Sequence, residues 1–182
     1  MKKTLAELLS YEKIYIGSNI DADMAQTIME QLYAGTDPVT LIVSSNGGSI
    51  IDAASIGYAV RSAPRAVYIL VTGMCYSSAA IVVSMGKQGY RYTLVDSPFF
   101  IHRSSRTVDD ECQTQQLEDA VWSLQHSDSV MSERMAENTL LEVEEIEELA
   151  DANRGFGTNL TAKEALNFGI VDYVIYPDGS AS

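Results

Sequence analysis

The chain has 182 residues, of which 46% are hydrophobic, and this suits one compact domain, residues 1–182, with a sizeable core. Its 12 Lys and Arg against 25 Asp and Glu give a net charge of -13, which repels phosphate backbones and argues against nucleic acid as a partner. No apolar run reaches the roughly 18 residues of a membrane span, so we expect a cytoplasmic protein with no membrane partner.

Strand and helix signals alternate along most of the chain. Short runs rich in β-branched and aromatic residues predict strands at 13–17, 39–43, 66–71, 90–94, 99–101 and 170–175. Apolar residues at helical spacing predict helices that begin after Asp21 and Asp23, at 50, at 78 and at Thr161. This alternation predicts an α/β fold with a largely parallel, buried sheet. Ligands of such sheets bind where strands end and helices begin, as at the predicted turns 44–48 and 73–77.

Residues 108–152 are rich in acid and give no strand signal. Their apolar spacing predicts two successive helices, broken near Asn138 and Thr139. The stretch is too long for a simple crossover between parallel strands, so we expect it to project from the globule or to pack on another subunit. A solvated acidic surface explains its charge equally well. Within it we interpret His126 as a surface residue and Trp122 as a helix-packing or subunit-contact residue.

Three features could carry chemistry. Ser77 lies at a strand-to-helix turn, where the helix amides favour developing negative charge, although a serine there also serves as an N-cap and Ser78 competes for either role. His102 follows an apolar strand and could act as a general base, or could be a partly buried imidazole with no catalytic role. The glycines at 47 and 48 have no Cβ, so a substrate carbonyl can approach the backbone amides closely.

The two cysteines are too few for a disulfide framework. Cys75 and Cys112 stand in no metal-ligand spacing with the histidines, so we interpret both as reduced thiols and predict no metal and no cofactor. Cys75 precedes Ser77 by two residues, but nothing near it in the sequence suggests the lowered pKa that a nucleophilic thiol needs.

Five blocks of the sequence form a pattern of order and spacing: Ser44-Ser45-Asn46-Gly47-Gly48, Gly73-Met74-Cys75-Tyr76-Ser77-Ser78-Ala79, residues 86–92, Phe100-Ile101-His102 and residues 160–172. In order and spacing they resemble the Clp protease proteolytic-subunit family, and the resemblance spans roughly residues 8–176. The resemblance implies a crotonase-like fold, with 108–152 as a helical handle through which two rings meet. It also implies heptameric rings stacked into a chamber, polypeptide substrates and an ATP-driven AAA+ unfoldase as a partner.

The same resemblance assigns roles to individual residues. Ser77 would be the nucleophile, His102 the base, and the amides of Gly48 and Ser78 the oxyanion hole for the tetrahedral intermediate. The acid of the family's triad is missing, because ungapped alignment places it on Gly157. Alignment from the preceding helix places it on Asn153, which we favour, with Asp151 as the alternative.

Other departures concern the groove and the partner. Ser45-Asn46 stands where the family has Ser-Pro, and Arg103-Ser104 follows the histidine where Gln-Pro is usual, so we expect the substrate specificity to differ. Little chain precedes the first strand, so the family's N-terminal axial loops are expected to be truncated or missing, which leaves the docking of an unfoldase open. The leading hypothesis is a serine endopeptidase. The alternatives are a catalytically weak or inactive ring subunit with an architectural role, and an acyl-CoA hydratase or isomerase.

Overall fold

The structure is a computed structural model that describes residues 2–105 and 113–182. The helices in these ranges are α1 (Leu5–Ser10), α2 (Ala22–Tyr33), α3 (Ile50–Ser62), α4 (Ser78–Ser84), α5 (Thr114–Ala136), α6 (Val143–Gly155) and α7 (Ala162–Asn167). The strands are β1 (Glu12–Ile16), β2 (Val39–Ser45), β3 (Val67–Tyr76), β4 (Arg91–Leu94), β5 (Phe99–Ile101), β6 (Thr158–Leu160) and β7 (Tyr173–Ile175). Cys112 lies outside the described residues.

One sheet organises the fold and confirms the predicted α/β class. Its main path runs β1-β2-β3-β4-β7, with every neighbouring pair parallel. β5 adds to the far end of β3 in parallel, with Tyr76 opposite Phe100. β6 then pairs with β5 in the antiparallel sense, with Thr158 opposite Ile101.

The sheet is covered on both faces, which explains the continuous apolar runs of its central strands. Side chains of one face, such as Leu41, Val43 and Ile69, join the large core cluster beneath the helices. The intervening side chains of β2 and β3, Ile42 and Leu70, point to the other face because strand side chains alternate. There they join a second, smaller cluster that includes Leu8 of α1, Tyr92 and Ile175.

Three of the four predicted helix starts are confirmed by side-chain caps, and Asp23, the second cap candidate for α2, lies within that helix. The Asp21 carboxylate accepts a hydrogen bond from the amide of Met24, and the Thr161 hydroxyl accepts one from the amide of Glu164 in a complete capping box. Ser49 caps α3 in the same way.

Four differences from the sequence-based expectations have physical reasons. α1 was not predicted, although Thr4 and Glu7 form a capping box in front of it. β3 continues to Tyr76 through the predicted turn 73–77, because β5 extends the sheet alongside it. β6 was not predicted and exists through its pairing with β5. The last strand begins only at Tyr173, because the amides of Ile170 and Val171 donate to the carbonyl of Ala165 in α7 and not to a neighbouring strand.

The acidic region forms two helices, as predicted, separated by residues 137–142. The C-terminal part of α5 packs on the globule, where Met131 and Met135 are buried in the main core. Its N-terminal part leaves Leu117, Val121 and Trp122 exposed, with Trp122 66% accessible. In the described part of the chain, no helix is both long and apolar enough to cross a membrane.

Candidate active site

Ser77 occupies the junction between β3 and α4 in a strained conformation. Its backbone has φ 55° and ψ -129°, which non-glycine residues adopt rarely and at a cost of about 1–3 kcal/mol. Its amide donates a 2.7 Å hydrogen bond to the carbonyl of Phe100, which ties the junction to β5. The Ser77 side chain makes no capping hydrogen bond with α4. The hydroxyl is therefore not used as a helix cap, which was the non-catalytic interpretation of this residue.

Two glycines bring a second segment against Ser77. Gly47 has φ +91°, and a Cβ there would lie 2.7 Å from the Ser77 Cβ and 3.0 Å from the Ser78 nitrogen. Gly48 has φ +149°, and a Cβ there would lie 2.8 Å from the Asn19 Oδ1. Both positions therefore require glycine, for conformation and for space.

The amides that were predicted to form the oxyanion hole have no backbone acceptor. The 47–49 segment is held to Ile20 by two hydrogen bonds of 2.8 Å, from the Ile20 amide to the Gly47 carbonyl and from the Ser49 amide to the Ile20 carbonyl. Neither bond uses the Gly48 amide. Among the described residues, no backbone carbonyl accepts from the amides of Gly48 or Ser78. Both N–H groups are thus available to a ligand, as helix-start and turn amides commonly are.

His102 follows β5 directly and faces the same cleft as Ser77. Its ring stacks on that of Phe100, with centroids 5.0 Å apart and planes at 16°. The cleft has a volume of about 620 Å³. Its lining includes Asn19, Asn46, Gly48, Ile50, Ile51, Ser77, His102, Ser104, Ser105, Ser123, Leu124 and Ser127. The structure therefore brings together the predicted nucleophile, the predicted base and one of the two predicted oxyanion-hole residues.

The His102 imidazole makes no hydrogen bond to any residue in the ranges 2–105 and 113–182, Ser77 included. Catalytic hydrogen bonds are often long in the absence of substrate and tighten when it binds. In the substrate-free protein, the stack on Phe100 orients the plane of the His102 ring.

Neither Asn153 nor Asp151, the two residues considered for the third position of the triad, makes a hydrogen bond with His102. Asn153 has a left-handed backbone, φ 55°, and its Nδ2 donates a 2.8 Å hydrogen bond to the carbonyl of Gly157. Asp151 instead accepts two hydrogen bonds from Arg103, of 2.8 Å and 2.6 Å. Arg103 lowers the pKa of the Asp151 carboxyl below its ordinary value of 3.8. The role of Asn153 as a direct partner of His102 stays a prediction.

Gly157, where ungapped alignment places the family's acid, packs directly against His102. It has φ +91°, and a Cβ there would lie 2.6 Å from the His102 Cβ and 2.9 Å from its Cα, besides overlapping the carbonyl oxygen of Ile101. The backbone at 157 therefore fills the space beside His102, and a side chain at this position has no room.

Three other residues singled out in the sequence, Cys75, Trp122 and His126, do not line the cleft. Burial raises the pKa of the Cys75 thiol, which argues against a nucleophilic role. His126 is exposed, as predicted, and Trp122 stacks on it with centroids 5.2 Å apart rather than packing into the core. In the described part of the chain, no group of three or more His, Cys, Asp or Glu residues could hold a metal ion.

Sequence reasoning missed the contacts that hold the segment after His102. The Phe100 stack, the Arg103–Asp151 pair and the hydrogen bond from the Ser104 amide to Asp128 were not foreseen. One signal was present, because Arg103 and Ser104 replace the usual Gln-Pro. Its structural meaning depends on residues far along the chain.

Comparisons with known proteins are consistent with this geometry. The family model for Clp protease matches residues 1–178. The chain is 31% identical over 174 residues to "ATP-dependent Clp protease proteolytic subunit 1" of Corynebacterium glutamicum, covering 93% of this chain and 81% of the relative. It is 29% identical over 175 residues to "ATP-dependent Clp protease proteolytic subunit 2" of Rhodococcus jostii, covering 92% and 86%. It is 30% identical over 182 residues to the protein of that name from Mycolicibacterium paratuberculosis, covering 92% and 84%.

Proposed function

The chain belongs to the Clp protease family, and we propose on this premise that it is a serine endopeptidase that hydrolyses unfolded polypeptides or short peptides within a ring of its own copies. The observation that carries the proposal is the junction at Ser77. A strained serine, a histidine and an unpaired glycine amide face one cleft, and the amide of Ser77 is hydrogen-bonded to β5, the strand that His102 directly follows. This combination suits acyl transfer to a serine hydroxyl.

The proposed reaction follows from the positions of these groups. The Ser77 oxygen attacks the scissile carbonyl while His102 accepts the hydroxyl proton. The amides of Gly48 and Ser78 donate hydrogen bonds to the oxyanion that forms. The protonated His102 then gives its proton to the leaving amine, and an acyl ester remains on Ser77. Water deprotonated by His102 hydrolyses the ester and regenerates both groups.

Asn153 fits a supporting place in this scheme. Its side chain holds the carbonyl of Gly157, and Gly157 packs against His102. We assign Asn153 as the residue that keeps the 157 backbone in place beside the imidazole. An amide stabilises an imidazolium less than a carboxylate does, so the scheme predicts a modest rate.

The inactive-subunit alternative is not favoured, since the relatives are named as proteolytic subunits. The acyl-CoA alternative usually relies on carboxylates at the site, and none lines the described cleft.

The wider assembly belongs to the same proposal. Residues 1–182 form a single domain, and 108–152 form the handle between two stacked rings of seven copies. The exposed Leu117, Val121 and Trp122 on α5 support such a contact. An AAA+ unfoldase as a partner and a cytoplasmic location complete the proposal.

A fluorophosphonate probe tests the chemistry. The purified protein is treated with the probe beside Ser77→Ala and His102→Ala variants, the adduct is located by mass spectrometry, and the assembled mass is recorded. We expect an adduct on Ser77 in a ring-sized particle, none in Ser77→Ala and at least about 100-fold slower labelling in His102→Ala. A ring of full mass with no adduct on Ser77 would overturn the peptidase and favour the architectural subunit.

A further inference from the structure

The segment that carries His102 has little regular structure to hold it. β5 ends at Ile101, and residues 102–105 belong to no helix or strand. The base of the proposed reaction therefore lies at the start of an irregular segment, where small shifts of backbone would move the imidazole. Misplacement by about 1 Å can cost a reaction about 100-fold.

Two acidic residues from different helices hold this segment through Arg103. Asp151 of α6 accepts from the Arg103 Nε at 2.8 Å and from its Nη2 at 2.6 Å, a bidentate pair that fixes the plane of the guanidinium. Asp128 of α5 lies 3.9 Å from the Arg103 Nη1 and accepts a 2.7 Å hydrogen bond from the Ser104 amide. Backbone and side chain of adjacent residues are thus tied to the same two helices.

The bidentate geometry and the low exposure of Asp128 distinguish this arrangement from an ordinary surface ion pair. The side chains of Arg103 and Asp128 are 30% and 15% exposed, whereas that of Asp151 is 57% exposed. Exposed ion pairs contribute little to folding stability. A bidentate pair with a half-buried arginine instead restricts geometry, which is what a base on an irregular segment needs.

We propose that Arg103 is a positioning residue for the reaction: its guanidinium, clamped by Asp151 and Asp128, fixes the 102–104 segment and thereby the place of His102 in the cleft. The inference rests on the proposed role of His102 as the base. With Gly157 packed against the Cα and Cβ of His102 and the clamp on the next residue, the backbone that carries the imidazole is held at two points. The clamp also joins α5 and α6 to the site, so α5, which carries the exposed Leu117, Val121 and Trp122, is connected to the base through Asp128.

The test compares steady-state hydrolysis of a short fluorogenic peptide by the assembled protein and five variants. Arg103→Gln removes both contacts of the clamp, Asp151→Asn removes only the bidentate one, the double variant combines the two changes, and Arg103→Lys keeps the charge without the bidentate fork. Arg154→Gln is the matched control, because this exposed arginine on α6 has no hydrogen bond or ion pair among the described residues. Assembled mass is measured for each.

We expect Arg103→Gln to lower kcat about 10- to 100-fold with KM within about twofold, since the base is displaced and peptide binding is not. Asp151→Asn should lower kcat less, because Asp128 remains. The double variant should be no worse than Arg103→Gln alone, as coupled residues are. Arg103→Lys should recover part of the loss, and Arg154→Gln should match the parent.

Three results would overturn the inference. They are an Arg103→Gln variant that matches Arg154→Gln, a loss that falls on KM alone, and a loss of assembly in Arg103→Gln while Asp151→Asn keeps both the ring and its full kcat. If the parent protein itself neither hydrolyses the peptide nor labels on Ser77, the proposed function fails, and that result is distinct from equal rates in parent and Arg103→Gln.

Discussion

Replacing Gly157 by aspartate puts the acid of the Clp protease family back at its ungapped position, and the structure indicates that the change lowers activity. Gly157 has φ +91°, a conformation that costs a side-chain-bearing residue about 1–2 kcal/mol. Its Cβ would also lie 2.6 Å from the His102 Cβ, an overlap comparable with overpacking of a core, which costs about 1–3 kcal/mol. The sum is about 2–5 kcal/mol of stability lost.

Gly155 provides the matched control. It has φ +85°, and nothing lies within 4 Å of the Cβ it would acquire, so Gly155→Asp carries the backbone cost without the overlap. Urea unfolding should show Gly157→Asp to be less stable than Gly155→Asp by about 1–3 kcal/mol. Peptide hydrolysis should fall at least about tenfold in Gly157→Asp, because the overlap displaces His102, and by less than about threefold in Gly155→Asp.

A Gly157→Asp variant that is more active than the parent would refute this reasoning. It would mean that the backbone beside His102 yields and that the base gains from a carboxylate there. Equal stability of the two variants would show that the contact with His102 is not tight.

Three further predictions concern the residues around the nucleophile. Asn153→Asp exchanges the amide donor for a carboxylate facing a backbone carbonyl, and should cost about 1–2 kcal/mol in urea unfolding, whereas the exposed Asn159→Asp should be neutral. Gly47→Ala should abolish fluorophosphonate labelling, because its Cβ would meet that of Ser77 at 2.7 Å; labelling at the parent rate would contradict the geometry. Iodoacetamide at about pH 8 should modify Cys75 only after unfolding, since burial raises the pKa of this thiol, and rapid native alkylation, read by mass spectrometry, would argue otherwise.

Local pattern was enough to predict most of the fold. Nearly continuous apolar residues predict central strands such as 39–43, and capping residues such as Asp21 predict where helices begin. The sequence did not predict β6, because its three residues, Thr158–Leu160, show no strand pattern of their own. They form a strand only by pairing with β5, which is far away in sequence. Whether such a short segment is a strand therefore depends on its partner strand and not on its own sequence.

The residues around the site likewise include some that local sequence predicts and some contacts that it does not. Ser77, His102 and Gly48 were proposed from the sequence because each lies in a short block with a recognisable neighbourhood, and all three line one cleft in the structure. The partners of Arg103 were beyond reach, since Asp151 is 48 residues away and its side chain was considered for a different task. Contacts between a loop and distant helices depend on how those helices dock, which residue spacing does not report.

The 2.7 Å hydrogen bond from the Ser77 amide to the Phe100 carbonyl links the two segments through main-chain atoms alone. His102 follows Phe100 by two positions, so the span between the proposed nucleophile and the proposed base is set by the number of main-chain units between them. Exchanging the side chains of Phe99 or Ile101 for others of similar volume leaves that count unchanged. Inserting or deleting one residue in the strand turns every following side chain to the opposite face. This short stretch therefore tolerates a change of composition far better than a change of length.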